Sequence, residues 1–162
     1  MQTLTVVVPA FNEGSGLREF HARLAAVFDT LDLSSTVLYV DDGSRDDTWD
    51  LMESLRAGDR RVATLKLSRN FGKELAMTAG LDAVDSDAVV VIDADLQDPP
   101  ELIAQFVAAW REGCDVVYGT RASRAGESSL KKLTSAVFYR VMEGLSHTPV
   151  PRDTVDFRLL SR

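Results

Sequence analysis

Apolar residues along this chain fall into two alternating spacings. Short, dense apolar runs occupy Thr3 to Val8, Thr36 to Val40, Val62 to Leu67, Ala88 to Ile92 and Val116 to Tyr118, and they read as β-strands. Between them, apolar side chains recur every three or four residues. Leu17, Phe20, Leu24 and Phe28 make one such face, Leu51, Met52 and Leu55 a second, and Leu102, Ile103, Phe106, Val107 and Trp110 another. Strands alternating with helices predict an α/β fold, a mostly parallel sheet with helices on both faces and right-handed crossovers. Helix starts are marked as well. Ser15 opens the first helix, Asp47 caps the second, and Pro99-Pro100-Glu101 opens the fourth with proline and acid in its first turn. Asp98 stands at a strand–helix junction and suits an N-cap. After Thr120 the pattern changes: Arg121 to Ser128 reads as a polar loop, and Leu130, Leu133, Val137, Val141 and Leu145 stripe a further helix.

Length and composition narrow this picture. The 162 residues suit a single domain, 1–162, and show no repeat, low-complexity tract or linker. The lone cysteine, Cys114, cannot form an internal disulfide and is expected as a small buried residue near a helix end. The N-terminus lacks a charged segment followed by an apolar one, and no run approaches the roughly 20 apolar residues of a membrane span, so the chain as given reads as soluble. Its net charge of −7 is uneven: residues 1–120 sum to −11 and residues 121–162 to +4. So acidic a body disfavours nucleic acid as a partner, while the basic remainder could face an anionic partner such as a phosphorylated acceptor or a lipid surface.

The most informative stretch is Ala88 to Ile92 running into Asp93-Ala94-Asp95-Leu96-Gln97-Asp98-Pro99-Pro100-Glu101. An apolar run of this kind is a buried parallel strand, and the carboxyl ends of such strands are where open α/β sheets bind ligands. Two acids two residues apart, with an amide two further on, offer oxygen ligands suited to Mg²⁺ or Mn²⁺, whose shells are completed by substrate phosphates and water. Two more loops follow strand ends on the same edge, Pro9-Ala10-Phe11-Asn12-Glu13 and Asp41-Asp42-Gly43-Ser44-Arg45-Asp46-Asp47-Thr48. Other Asp-x-Asp chemistries fit less well. Phosphotransferases of the haloacid dehalogenase type carry that motif on the first strand, not the fourth. A dinucleotide-binding turn would need Gly-x-Gly-x-x-Gly after the first strand, and no Walker A sequence is present.

Six segments in order, VVVPAFNE, VDDGSRDDT, SRNFGKELAMTAG, DADLQDPPE, YGTR and DTVDFRLLSR, resemble the family 2 inverting glycosyltransferases of GT-A fold. Within that family they are most similar to the polyprenyl-phosphate group, which includes bactoprenol glucosyltransferases and dolichyl-phosphate mannosyltransferases. The likeness runs from about Leu4 to Arg162. It implies transfer of a hexose from a nucleotide-diphosphate sugar, UDP-glucose before GDP-mannose, to a polyprenyl phosphate, assisted by Mg²⁺ or Mn²⁺. By the same resemblance, Pro9, Phe11, Glu13 and Asp42 line the nucleoside pocket, although Pro9, Asn12, Asp41 and Asp42 also suit turns and caps. Asp93, Asp95 and Gln97 correspond to the metal triad, with Ala94 beside the donor. Gly72 and Lys73 are placed near the donor, where Arg69 or Lys73 balances phosphate charge; the alternative for Lys73 and Glu74 is a solvated helix start. Arg121 corresponds to an arginine that reaches donor or acceptor phosphate, and Asp95, Arg121 and Asp156 are the expected catalytic set.

Asp156 matches a position sometimes assigned as base, but an alkyl phosphate is largely dianionic at pH 7 and needs little deprotonation. The expectation is therefore that Asp156 orients the acceptor. His21, His147, Trp49 and Trp110 lack ligand spacing and read as packing or surface residues. Members of this group commonly continue into transmembrane helices, so the resemblance implies a catalytic domain that ends before them and works at the cytoplasmic membrane face. The basic residues of 121–140 would give only a weak, reversible attraction to an anionic leaflet. The alternative to a transferase is a module that binds nucleotide-sugar and metal without transfer.

Overall fold

The computed structural model describes residues 1–120 and 154–162. Six strands form one sheet in the order β3-β2-β1-β4-β6-β5. They are β1 (Thr3–Ala10), β2 (Ser34–Asp41), β3 (Val62–Lys66), β4 (Ala88–Val91), β5 (Val116–Thr120) and β6 (Thr154–Ser161). The helices are α1 (Leu17–Thr30), α2 (Thr48–Gly58), α3 (Lys73–Asp82) and α4 (Ile103–Arg111), with a 3₁₀ turn at Pro100–Leu102 leading into α4. Met1–Tyr118 and Asp156–Arg162 form one compact unit; the second, Gly119–Val155, lies almost wholly outside the described residues. The loop expected at Arg121 to Ser128, the stripe from Leu130 to Leu145, Arg121 and His147 all fall outside them.

The central strand is β1, parallel to a neighbour on each side. It pairs with β2 along its length, Thr3 opposite Ser34 through Ala10 opposite Asp41, and with β4 from Leu4 opposite Ala88 to Val7 opposite Val91. Since β2 and β4 leave β1 in opposite directions across the sheet, the crevice above the carboxyl ends of β1 and β4 is a topological switch point. The five expected strands are present, with no boundary shifted by more than two residues. Beyond β3 and β4, Leu67 N–H donates to the Asp41 carbonyl and Ile92 N–H to the Val7 carbonyl.

Side-chain alternation in β2 sorts the two layers. Leu38 and Val40 join Val7 and Ala76 of α3 in one buried cluster. Tyr39, fully buried and pointing the opposite way, meets Phe20 of α1 edge to face at 6.5 Å between ring centroids. Helices therefore cover both faces, as expected. The α3 layer sits close because Gly80 carries no side chain: a Cβ there would lie 2.4 Å from Val7 Cγ1 and 3.0 Å from Val40 Cγ2. Leu17, Phe20, Leu24 and Phe28 form the buried face of α1, and Ile103, Phe106 and Val107 that of α4. In α2 only Met52 of the expected apolar set is fully buried, since the helix lies at the β3 edge.

Four details differ from the sequence expectation. Gly16, not Ser15, precedes α1, and the Gly16 and Leu17 N–H groups bond the Glu13 carbonyl instead of a serine hydroxyl. Asp47 stands before α2 without capping through its side chain; its neighbour Asp46 accepts from Thr48 N–H at 3.1 Å and Thr48 Oγ1 at 2.6 Å. Cys114 is exposed, because it lies past the end of α4 in the turn to β5, whose Val116 and Tyr118 are also exposed. The fourth is β6. Phe157 and Leu159 are buried and alternate with half-buried Asp156 and Arg158, a strand pattern within what reads by sequence only as a motif. Running antiparallel to β4, with Ala88 opposite Ser161 and Val91 opposite Arg158, β6 separates β4 from β5.

Two substitutions test this packing. Phe157 is 1% exposed and its ring lies 4.6 Å from that of Phe106. Phe157→Ala is expected to lower unfolding free energy by about 3–5 kcal/mol in urea titration. Gly80→Val places methyl groups against Val7 and is expected to cost about 1–3 kcal/mol by the same measurement.

Candidate active site

The loops after β1, β2 and β4, joined by the segment before α3, enclose a pocket of about 270 Å³. Its walls are Pro9 and Ala10 at the end of β1, Phe11 and Glu13 from the loop that follows, Asp42 from the second loop, Asn70, Gly72, Lys73 and Ala76, and Asp93, Ala94 and Asp95 from the third. Pro9, Phe11, Glu13, Asp42, Gly72, Lys73, Asp93 and Ala94 are therefore brought to one place, whereas Arg69 is not among the walls and Arg121 lies outside the described residues. Ala10 and Ala76 had no chemical signature by which sequence could single them out.

The first two loops are stitched together by side chains. Asn12, at φ 58°, accepts Arg45 N–H on Oδ1 at 2.9 Å and gives its own N–H to Ser44 Oγ at 3.0 Å. Glu13 N–H donates to Thr48 Oγ1 at 2.9 Å. These bonds hold the turn that presents Phe11, 39% exposed, at the pocket mouth. The Asp41-Asp42-Gly43 turn then fixes the segment before α3. Asp42, only 3% exposed, accepts the N–H of Phe71 at 2.8 Å and that of Gly72 at 2.9 Å, one on each carboxylate oxygen. Gly43, at φ +70°, has no room for a side chain, as a Cβ would stand 2.5 Å from the Arg69 carbonyl carbon. Asp42 thus lines the pocket with both oxygens already serving the backbone beside it. Asp41 is fully buried; its Oδ1 accepts Ser44 N–H at 3.0 Å, while Oδ2 has no hydrogen-bond partner among the described residues.

The third loop holds the exposed acid. Leu96 adopts φ 61°, a left-handed conformation costly for a branched side chain, and Gln97 N–H folds back onto Asp95 Oδ1 at 3.0 Å. Gln97 itself is exposed and is not among the pocket walls. Asp93 is half-buried, and its Oδ2 lies 2.6 Å from Lys73 Nζ, which lies 2.6 Å from Asp156 Oδ2 as well. This bridge joins α3, the β4 loop and β6, and sequence offered no signal for it.

Charge in the pocket is one-sided. Among the described residues, Glu13, Asp42, Asp93 and Asp95 line it against Lys73 alone. Burial pushes the Asp93 carboxyl up, and the Asp95 and Asp156 charges add to that push against the pull of Lys73. Glu13 is raised in the same way, by burial first and then by Asp95, Asp93 and Asp46. Burial acts to lower the Lys73 ammonium, but its bonds to Asp156 and Asp93 prevail and the net shift is upward. Among the described residues no group of three His, Cys, Asp or Glu side chains could hold a metal. Two carboxylates, Asp93 and Asp95, nevertheless fit a hard cation of the Mg²⁺ or Mn²⁺ kind, which takes one or two protein carboxylates together with substrate phosphates.

Comparison with known proteins agrees with this geometry. The family model for glycosyl transferase family 2 matches residues 5–162. An uncharacterized glycosyltransferase of Synechocystis, sll0501, is 44% identical over 159 residues, covering 98% of this chain and 50% of the relative. A prophage bactoprenol glucosyl transferase homolog of Escherichia coli is 35% identical over 159 residues, covering 98% and 52%. The chain thus spans about half the length of these curated relatives. Among solved structures, the Mycobacterium tuberculosis glucosyl-3-phosphoglycerate synthase complex with Mn²⁺, UDP-glucose and glycerol 3-phosphate superposes with a TM-score of 0.69 at 20% identity, covering 99% of this chain and 57% of that one. That likeness is one of fold, the GT-A arrangement. With its strand order, its acidic switch-point pocket and a family match over nearly all its length, this chain belongs to glycosyl transferase family 2.

Proposed function

We propose that this chain is the donor-binding and catalytic part of an enzyme that transfers a hexose, with inversion, from a nucleoside diphosphate sugar to a polyprenyl phosphate at the cytoplasmic membrane face. UDP-glucose is the favoured donor and GDP-mannose the alternative. The observation that carries this reading is the single pocket at the β1/β4 switch point into which Phe11, Glu13, Asp93 and Asp95 are all brought. The lipid phosphate acceptor is supported by the relatives named bactoprenol glucosyl transferase, and the donor and cation by the solved complex with Mn²⁺ and UDP-glucose. The Asp93 and Asp95 carboxylates hold the cation. A divalent cation held there would supply charge stabilisation for the departing diphosphate.

The remaining work belongs to the chain's own side chains. Phe11 offers a ring face to the base at the pocket mouth, and Glu13 accepts a base N–H or ribose hydroxyl. Asp42 shapes the floor by holding Phe71 and Gly72 in place. Lys73 stands between the donor-side Asp93 and Asp156. Asp156 orients the acceptor and abstracts no proton, since a dianionic phosphate oxygen is already a competent nucleophile. Attack by that oxygen on the anomeric carbon, opposite the diphosphate, forms the new C–O bond as the bond to the leaving oxygen breaks. Among the described residues no helix is long and apolar enough to cross a membrane. The lipid acceptor accounts for the membrane in this reading.

Calorimetric titration with UDP and GDP is expected to show binding that requires Mn²⁺, followed by hexose transfer to a short-chain polyprenyl phosphate. Binding without transfer would mark a donor-binding module, and absence of nucleotide binding would defeat the reading. Asp95→Asn is expected to reduce transfer about 100-fold or more by weakening leaving-group stabilisation. Its thermal midpoint should stay near that of the parent because Asp95 is exposed.

A further inference from the structure

We propose that Lys73 is a tethered stand-in for the divalent cation, occupying an Asp93 oxygen until metal and donor diphosphate arrive, then releasing Asp93 while remaining on Asp156. The proposal rests on the donor-site reading above and adds a role for Lys73 that a simple phosphate contact lacks. Its ammonium holds two carboxylate oxygens at 2.6 Å each, the length of charge-assisted bonds. One of those oxygens belongs to an expected metal ligand, so ammonium and metal compete for the same lone pairs.

The surroundings favour exchange over a permanent bridge. Glu13, Asp93 and Asp95 line one pocket, and Asp156 shares an ammonium with Asp93, so the site gathers negative charge that a positive charge offsets. Lys73 supplies it in the free protein at no cost in binding a solute. The base of the side chain is fixed, since Lys73 is the first residue of α3 and follows Gly72, whose N–H is held by Asp42. Its head is free to swing: the side chain is 40% exposed on a flexible stem, and the carboxylates of Asp93 and Asp156 are 27% and 44% exposed. Ion pairs this open to water are weak enough for a divalent ion to displace one of them. Because Asp156 lies on β6 and Asp93 after β4, the exchange carries the arrival of the donor's cation to the acceptor-side carboxylate. Freed from Asp93, the ammonium neutralises Asp156 alone, which removes a negative charge facing an incoming acceptor phosphate.

The test is Mn²⁺ binding without nucleotide, followed by the loss of the free-ion signal in electron paramagnetic resonance. Lys73→Gln is expected to bind Mn²⁺ about tenfold more tightly than the parent chain, because the competing ammonium is gone. Lys73→Arg, which keeps the charge, should bind it like the parent. Lys73→Met serves as a second neutral variant, with circular dichroism melting to confirm that each is folded. Equal Mn²⁺ affinity within about twofold for parent and neutral variants, weaker binding by the neutral variants, or no Mn²⁺ binding by any of them overturns the proposal. A parallel UDP titration with Mn²⁺ separates the two readings: retained UDP binding with an unmoved Mn²⁺ affinity removes only the stand-in role, whereas lost UDP binding removes the donor site itself.

Discussion

Parallel pairing of β1 with both of its neighbours is the constraint on which the site depends. A strand so placed is buried on both faces and both edges, which is why Leu4, Val6, Val7 and Val8 are all inaccessible to water. The same register sets the chemistry. With Ala10 opposite Asp41 and Val7 opposite Val91, the chains leaving β1, β2 and β4 emerge on one edge within a few residues of each other. No loop has to travel to reach the pocket. Slipping either ladder would separate the acids from the aromatic mouth and bury polar side chains in the core.

That concentration of acids creates the electrostatic problem that the surrounding structure answers in different ways. Asp42 is satisfied by backbone N–H groups, which costs the protein a rigid segment before α3. Asp93 is satisfied by an ammonium reached from another element. Asp95 is left exposed, with only the Gln97 N–H on its Oδ1 among the described residues. Glu13 has a raised carboxyl because burial and three aspartates act on it together. Four acids of similar chemistry thus differ in availability: Asp42 has both oxygens on backbone N–H groups, whereas Asp95 gives only Oδ1 to one.

The layout of strands and the acidic loops were legible because apolar runs and helical spacings are local signals, and Asp93 and Asp95 follow directly from one of them. Roles fixed by distant partners were not. Asp42 reads equally as ligand or turn residue until Phe71 and Gly72 are seen donating to it. The bridge from Lys73 to Asp156 spans 83 positions and leaves no spacing to detect. β6 shows alternation, but alternation says nothing of direction or neighbour, so its antiparallel seat between β4 and β5 was beyond reach. Cys114 escaped for a related reason: its burial depended on where α4 stops, and helix ends are poorly fixed by apolar spacing.

The place of β6 also sets an order of events in time. The sheet is interrupted in sequence, for the strand between β4 and β5 is made after both. During synthesis the first four strands can pair as soon as they emerge, yet one edge of β4 stays open until Thr154–Ser161 arrives. Open strand edges and long-range pairing slow folding and invite wrong partners. β6, made after β5, therefore covers the open edge of β4 and, through Asp156, brings a further carboxylate onto Lys73, so that a chain halted before it would carry the acids of the pocket without this part of their frame.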